Sequence, residues 1–361
     1  MTTIQEIESL EDKRIVDSWN TLNEASGCPH IHLTWEWISL WWKHFGEDRE
    51  LMLLGAIEHD RVLAIAPLCI RKVGMGTACL RILEFLGTGL SDRGDFLWEP
   101  SRIDALRHIL GYVYAQKKRW ERLSLRAFPE WAASPTEVKT EAETLGWKIS
   151  RADREASPYL KINGEWQTYL NSRSRNLRND TRRRKNRLTD FGNPSIKLLK
   201  SREEILATLD KVIQIGIQNP LKRHLFMHPA VKPFLTEILL LFHDKGWLRF
   251  WVMESESRLM SYIIGFVYKK IFYYWNLGYD PEFSACSPGR LLLINVLKHC
   301  FNEQILEFDF MRGEERYKEH WATDVRYNIK LEIFHSKWHL GLMRFLSQGR
   351  RYVSPFLGLQ K

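Results

Sequence analysis

Just past the end of one apolar run, the chain gathers an acid, a guanidinium, a phenol and an amine: Asp309, Arg312, Tyr317 and Lys318. A carboxylate or a phenol can move protons, and a fixed cation can stabilise developing negative charge. Upstream, Ser287-Pro288-Gly289-Arg290 reads as a helix start. Ser287 is a good N-cap, Pro288 suits the first helical position because its missing N–H would have no partner there, and Gly289 has no side chain to keep a ligand off the backbone. A helix terminus of that kind, with Arg290 beside it, is a site for a phosphate or pyrophosphate. The same letters are also ordinary capping grammar that binds nothing.

The elements around these residues predict a strand from Tyr273 to Leu277, a polar loop, a helix from Pro288 to about Phe301 and a strand from Ile305 to Phe310. Phe250 to Val267 repeats the pattern of Leu53 to Ile70: strand, polar turn ending in Arg258 or Arg61, strand. Each half then continues with a strand, a polar loop, a helix and a strand. The expected architecture is a duplicated α/β unit, although hairpins this generic also recur by chance. Residues 1 to 50 read as helical, with Thr34 capping a helix whose Trp37, Trp41, Trp42 and Phe45 form a core stripe.

Between the halves, Trp166 to Phe191 is a predicted helix carrying a basic run from Arg173 to Arg187. Arg175, Arg178, Arg182 and Lys185 share one face, and Trp166, Leu170 and Leu177 can pack on the other. The exposed face suits an anionic surface, and a solvated linker helix is the bland alternative. A formal charge of +9 over 361 residues points the same way, to a polyphosphate, a nucleic acid, an acidic glycan or a membrane surface. Five scattered cysteines without C-x-x-C spacing argue for reduced thiols and against a zinc site, so no metal is expected. The polar N-terminus lacks a signal-peptide pattern and no run approaches the ~20 apolar residues of a membrane span. A cytoplasmic protein is expected, with peripheral attachment at the inner face of the membrane as an option for its basic tail.

Taken together, Thr34-Trp35-Glu36-Trp37 with Trp41-Trp42, Trp166-x-x-Tyr169-Leu170, Ser287-Pro288-Gly289-Arg290-Leu291-Leu292 and Phe308-Asp309-Phe310-x-Arg312-Gly313-x-Glu315-x-Tyr317-Lys318-x-x-Trp321 resemble the CelD/BcsL group of GNAT-type acetyltransferases. That group is linked to cellulose and exopolysaccharide biosynthesis and is similar to the Fem aminoacyltransferases, which are tandem GNAT folds. The resemblance implies tandem GNAT-like units with mixed, mostly antiparallel sheets flanked by helices. It also implies acetyl-CoA or another acyl-CoA as co-substrate, with its pyrophosphate at Ser287, Gly289 and Arg290. The chain departs from the common GNAT phosphate loop, Gln/Arg-x-x-Gly-x-Gly/Ala, in having only the shorter Ser-Pro-Gly-Arg. A Fem-like aminoacyl-tRNA donor is therefore the natural rival, with Tyr317-Lys318 where that family carries a Phe-Lys pair.

Acyl transfer assigns roles to the cluster. Asp309 is the base or holds Arg312 in place, Arg312 or Lys318 stabilises charge, and Tyr317 returns a proton to the leaving group. Asp92 and Asp95, in the corresponding loop of the first half, are candidates for holding the acceptor, with capping of a turn as the alternative. The expected division is 1–160 as an N-terminal GNAT-like domain, 161–192 as a basic linker helix, 193–335 as the C-terminal acyltransferase domain and 336–361 as a basic amphipathic tail. The expected activity is transfer of an acyl group, acetyl first among them, to an amino or hydroxyl group of a small-molecule or glycan acceptor in exopolysaccharide, cellulose or cell-envelope biosynthesis. Aminoacyl transfer from tRNA and a catalytically silent scaffold that binds an anionic glycan or a membrane partner stay open as alternatives.

Overall fold

The computed structural model describes residues 2–74, 79–188 and 194–334. The expected amphipathic tail, 336–361, and the end of the basic helix beyond Leu188 lie outside them. The chain divides into two compact units: Met1–Glu155 with the segment returning from Tyr327, and Ala156–Arg326.

The first unit contains β1 (Thr3–Ile7), α1 (Lys13–Ala25), α2 (Trp35–Phe45), β2 (Arg49–Glu58), β3 (Arg61–Val73), β4 (Leu80–Phe85), β5 (Leu97–Trp98), α3 (Ile103–Ala115), β6 (Arg122–Pro129) and α4 (Ser134–Thr144). The chain leaves this unit within β7 (Lys148–Lys161). In the second unit come α5 (Trp166–Ser172), α6 (Arg175–Leu188), β8 (Ser195–Leu198), α7 (Arg202–Gln218), α8 (Arg223–Phe226), α9 (Val231–Asp244), β9 (Leu248–Ser255), β10 (Arg258–Tyr268), β11 (Ile271–Tyr279), α10 (Pro288–Asn302), β12 (Glu307–Asp309) and α11 (Arg316–Trp321). The chain returns to the first unit within β13 (Asp324–Phe334).

Both units follow one plan. In the first, β1 to β4 pair antiparallel in sequence order, β4 is parallel to β6, and β6 is antiparallel to residues 328–334 of β13. In the second, β8 to β11 pair antiparallel, β11 is parallel to β12, and β12 is antiparallel to residues 159–161 of β7. Each parallel pair needs a crossover, which α3 supplies in one unit and α10 in the other. The duplication expected from the repeated hairpin is present.

The domain boundaries differ from the linear division expected. Ile329, Leu331 and Ile333 of β13 fill the first unit's core, so the strand near the chain's end belongs with the first half. The basic helix is no free-standing linker, because Tyr169 and Leu177 are buried in the second unit's core. It is also two helices, broken at Arg173, whose backbone is extended at φ −77° and ψ 157°. The start of the chain is not all helical: β1 pairs residue for residue with Leu53–Ile57 of β2.

One departure from regular pairing positions the site. β11 and β12 pair only over Ile271–Tyr273 and Glu307–Asp309, while β11 runs on to Tyr279 beside β10. The sheet opens there, at the carboxyl ends of its two parallel strands, the position where open α/β sheets hold ligands. Gly278 keeps the far end of β11 in place. It lies opposite buried Tyr262, and an added Cβ would sit 2.4 Å from the ring. Gly278→Ala is expected to lower the second unit's stability by about 1–3 kcal/mol through overpacking, read as a lower calorimetric transition for that unit.

Candidate active site

The start of α10 differs from the capped terminus expected. Ser287 is left-handed, at φ 51° and ψ 59°, and its side chain caps nothing in the helix. Its N–H donates to Ser284 O at 3.0 Å, closing the turn Pro281–Cys286 that precedes it, and its Oγ accepts a hydrogen bond from Arg184 of α6. The serine is thus a joint between two helices, held in a conformation that costs a non-glycine residue about 1 kcal/mol. Gly289 is buried, and a Cβ there would meet Leu277 Cδ1 at 3.1 Å. Its missing side chain makes room for β11, which is a packing reason beside the ligand reason.

Around this joint lies a cavity of about 240 Å³. Leu277 and Tyr279 line it from β11, Ser284 and Ser287 from the turn, Gly289, Arg290 and Leu293 from α10, and Tyr317 from α11. Four residues singled out in the sequence, Ser287, Gly289, Arg290 and Tyr317, are therefore brought to one space. Burial pushes the Tyr317 hydroxyl's pKa well above its ordinary value, so it stays protonated at neutral pH. Tyr274, buried at 4% exposure, approaches Tyr317 closely enough for the two phenols to affect each other's titration. Among the described residues its Oη nevertheless has no partner that meets full hydrogen-bond geometry.

Asp309 is placed otherwise. Its side chain is 0% exposed. Oδ1 accepts from Met311 N at 2.8 Å and Ser157 Oγ at 3.4 Å, and Oδ2 pairs with Arg326. Arg326 also pairs with Glu307 at 2.7 Å and lies over the Tyr159 ring. Asp309 thus stabilises the left-handed turn at Met311 and holds an arginine no motif had flagged, and it is not among the residues that line the cavity. Lys318 is likewise committed. At 4% exposure its Nζ donates to Arg312 O at 2.6 Å and pairs with Glu315 at 2.9 Å, closing the loop 312–315 from within. Gly313, at φ 126°, allows that closure, since a Cβ would fall 2.1 Å from Glu315 Oε2. Arg312 is half-buried and contributes its carbonyl to this clamp.

In the first unit, Asp92 is half-buried and its N–H donates to His32 Nδ1 at 2.8 Å. Asp95 is 3% exposed, and its Oδ1 accepts from Phe96 N at 2.8 Å, so its carboxyl organises the loop and does not face an acceptor. Burial raises its pKa from 3.8 to about 7, against the opposing effects of Ser134, the Phe96 N–H and Arg93. The sign follows from linkage: between those two values the folded state keeps a proton that the unfolded state has lost, so stability falls as pH rises through the window and is level above it. Asp95→Asn is expected to abolish that loss, so the gap in melting temperature between variant and wild type should widen from pH 4 to pH 7 and then stay constant.

The sequence reading missed Asp180 and Arg184. On α6, Asp180 accepts from Arg184 Nε at 2.7 Å, Arg183 at 2.9 Å and, across to α10, Arg290 at 2.5 Å. Arg184 first, with Arg183 and Arg290, holds the carboxyl down to about 2. The i, i+4 spacing of Asp180 and Arg184 was the available signal. The basic face read from the sequence, Arg175, Arg178, Arg182 and Lys185, is exposed. Among the described residues no group of three or more His, Cys, Asp or Glu is placed to hold a metal, and no helix is long and apolar enough to cross a membrane.

Residues 175–319 match the model of the acetyltransferase (GNAT) domain. The chain is similar in structure to FemX, at 12% identity and a TM-score of 0.64 over 94% of this chain and 99% of that one. It is also similar to L-PGS from Bacillus licheniformis, at 12% identity and a TM-score of 0.52 over 96% and 99%. A third similar structure is a conserved protein of unknown function from Bacteroides thetaiotaomicron, at 10% identity and a TM-score of 0.51 over 92% and 100%. At such identities the likeness is one of fold. No curated protein matches the sequence. The stretch from α6 to α11 thus matches a GNAT acetyltransferase domain, which supports an N-acetyltransferase-like enzyme, and the chain as a whole shares its fold with FemX.

Proposed function

We propose that the second unit transfers an acyl group, acetyl first among the candidates, from acyl-CoA to an amino or hydroxyl group of a small-molecule or glycan acceptor, as in a CelD/BcsL-type enzyme of exopolysaccharide or cell-envelope biosynthesis. The observation that carries this is the cavity at the opening of the sheet, where the cation of Arg290 and the protonated phenol of Tyr317 face one space. Arg290, Ser287 and the backbone at Gly289 hold the donor's phosphates at the start of α10. The acceptor's nitrogen or oxygen attacks the acyl carbonyl, and the bond to the leaving sulfur breaks as Tyr317 gives that sulfur its proton. Water reprotonates Tyr317 and takes the acceptor's proton. Asp309 and Lys318 hold the loop that carries Tyr317 and touch no reactant.

Incubation with acetyl-CoA and a panel of amino sugars and glycan fragments should release free CoA and give an acceptor heavier by one acetyl group. No CoA release with any acceptor, together with no acetyl-CoA retained in native mass spectrometry, rules the activity out. The exposed basic face of α6 favours a second reading, an aminoacyl-tRNA donor. RNA that copurifies, and that is lost when Arg182 and Lys185 are neutralised, would select it over acyl-CoA.

A further inference from the structure

Arg184 and Arg290 come from different helices, yet both guanidinium groups converge on one carboxylate oxygen, Asp180 Oδ2. Arg184 also reaches Ser287 Oγ on the cavity wall, and Arg290 is itself part of that wall. Asp180 is the single acid between Arg173 and Arg187, so three arginines share one negative charge. The group is accessible: the side chains of Asp180, Arg184 and Arg290 are 21%, 21% and 29% exposed. Ion pairs that solvent still reaches can be displaced by a competing anion, as fully buried pairs cannot. A diphosphate offers more oxygens and more charge to the same two planar forks than one carboxylate can.

We propose that Asp180 is an internal stand-in for a donor diphosphate, holding Arg184 and Arg290 in place beside the cavity until the diphosphate displaces it, so that α6 forms part of the donor site and acts as its latch. This rests on the reading that the second unit takes a diphosphate-bearing acyl donor. It adds that α6, outside the helix start itself, sets the affinity for that donor. The binding-competent fraction of the site is the fraction in which Asp180 has let go, and a competitor built into the chain lowers apparent affinity by that factor.

The test is calorimetric titration with inorganic pyrophosphate, and separately with acetyl-CoA, of the wild-type chain, Asp180→Asn and Arg290→Ala. Asp180→Asn should bind pyrophosphate about ten-fold more tightly, because the self-competing state is gone, and Arg290→Ala should bind it more weakly than wild type. In the wild type, pyrophosphate should speed amide hydrogen exchange over 178–184, as the latch lets go, while slowing it over 289–291. Unchanged or weaker pyrophosphate binding by a folded Asp180→Asn overturns the proposal. Unchanged exchange over 178–184 in ligand-saturated wild type overturns it too, even where the variant does not fold. If acetyl-CoA binds wild type and is weakened by Arg290→Ala while Asp180→Asn has no effect, the latch alone is wrong. If neither ligand binds wild type, the donor reading falls with it.

Discussion

Asp309→Ala lowers the stability of the second unit by about 3 kcal/mol, the low end of the cost of removing one partner from a buried ion pair. The low end applies because Arg326 keeps Glu307 as a second partner. The remaining cost comes from the Met311 N–H, which loses its acceptor in a turn held at φ 62°. Asp309→Asn keeps an acceptor for that N–H and loses only the charge, so it should cost less. The two substitutions separate a scaffold from a base. A folded Asp309→Asn should retain kcat within a few-fold, read in the acetyl-transfer assay at a temperature below both melting transitions. A loss of two orders of magnitude or more in kcat, with stability near wild type, would make Asp309 the base after all. The two units make a single unfolding free energy ill-defined, so the stability change is to be read from the transition of the second unit.

Tyr317→Phe lowers kcat by about 10²–10⁴-fold, the range expected for losing a positioned proton donor, with KM changed only a few-fold. The expectation follows from the protonated state of the phenol and its place on the cavity wall. The side chain's packing survives the substitution, since phenylalanine keeps the ring. A proportional rise in KM with kcat unchanged would instead make Tyr317 a binding surface, and the leaving sulfur would then take its proton from water.

What the sequence revealed and what it concealed divide along contact distance. The hairpins at 49–73 and 248–268 and the helix from Pro288 were legible because their signals are local: alternation, turn residues, a proline at a helix start. The repeated plan of the two units followed from those local signals. The fate of Asp309 was not legible, because its partner Arg326 is 17 residues away, beyond a helix, and nothing local marks Asp309 as buried. The same holds for Asp180, whose bond to Arg290 spans 110 residues. Ser287 misled because Ser-Pro is a common cap and strand pattern says nothing of a left-handed serine. The strand β1 was hidden by its polar composition, Thr3-Ile4-Gln5-Glu6-Ile7, which is typical of a half-exposed sheet edge. The return of β13 to the first unit is a pairing of distant segments, which no window along the chain can show.

The proposed acyl transfer requires that the start of α10 receive a donor. Amide hydrogen exchange with and without saturating acetyl-CoA measures this directly. Protection is predicted at Ser287 and 289–293 and around Tyr317, with the first unit's core strands unchanged. Identical exchange at those amides in both conditions, with no shift in melting temperature, would contradict it.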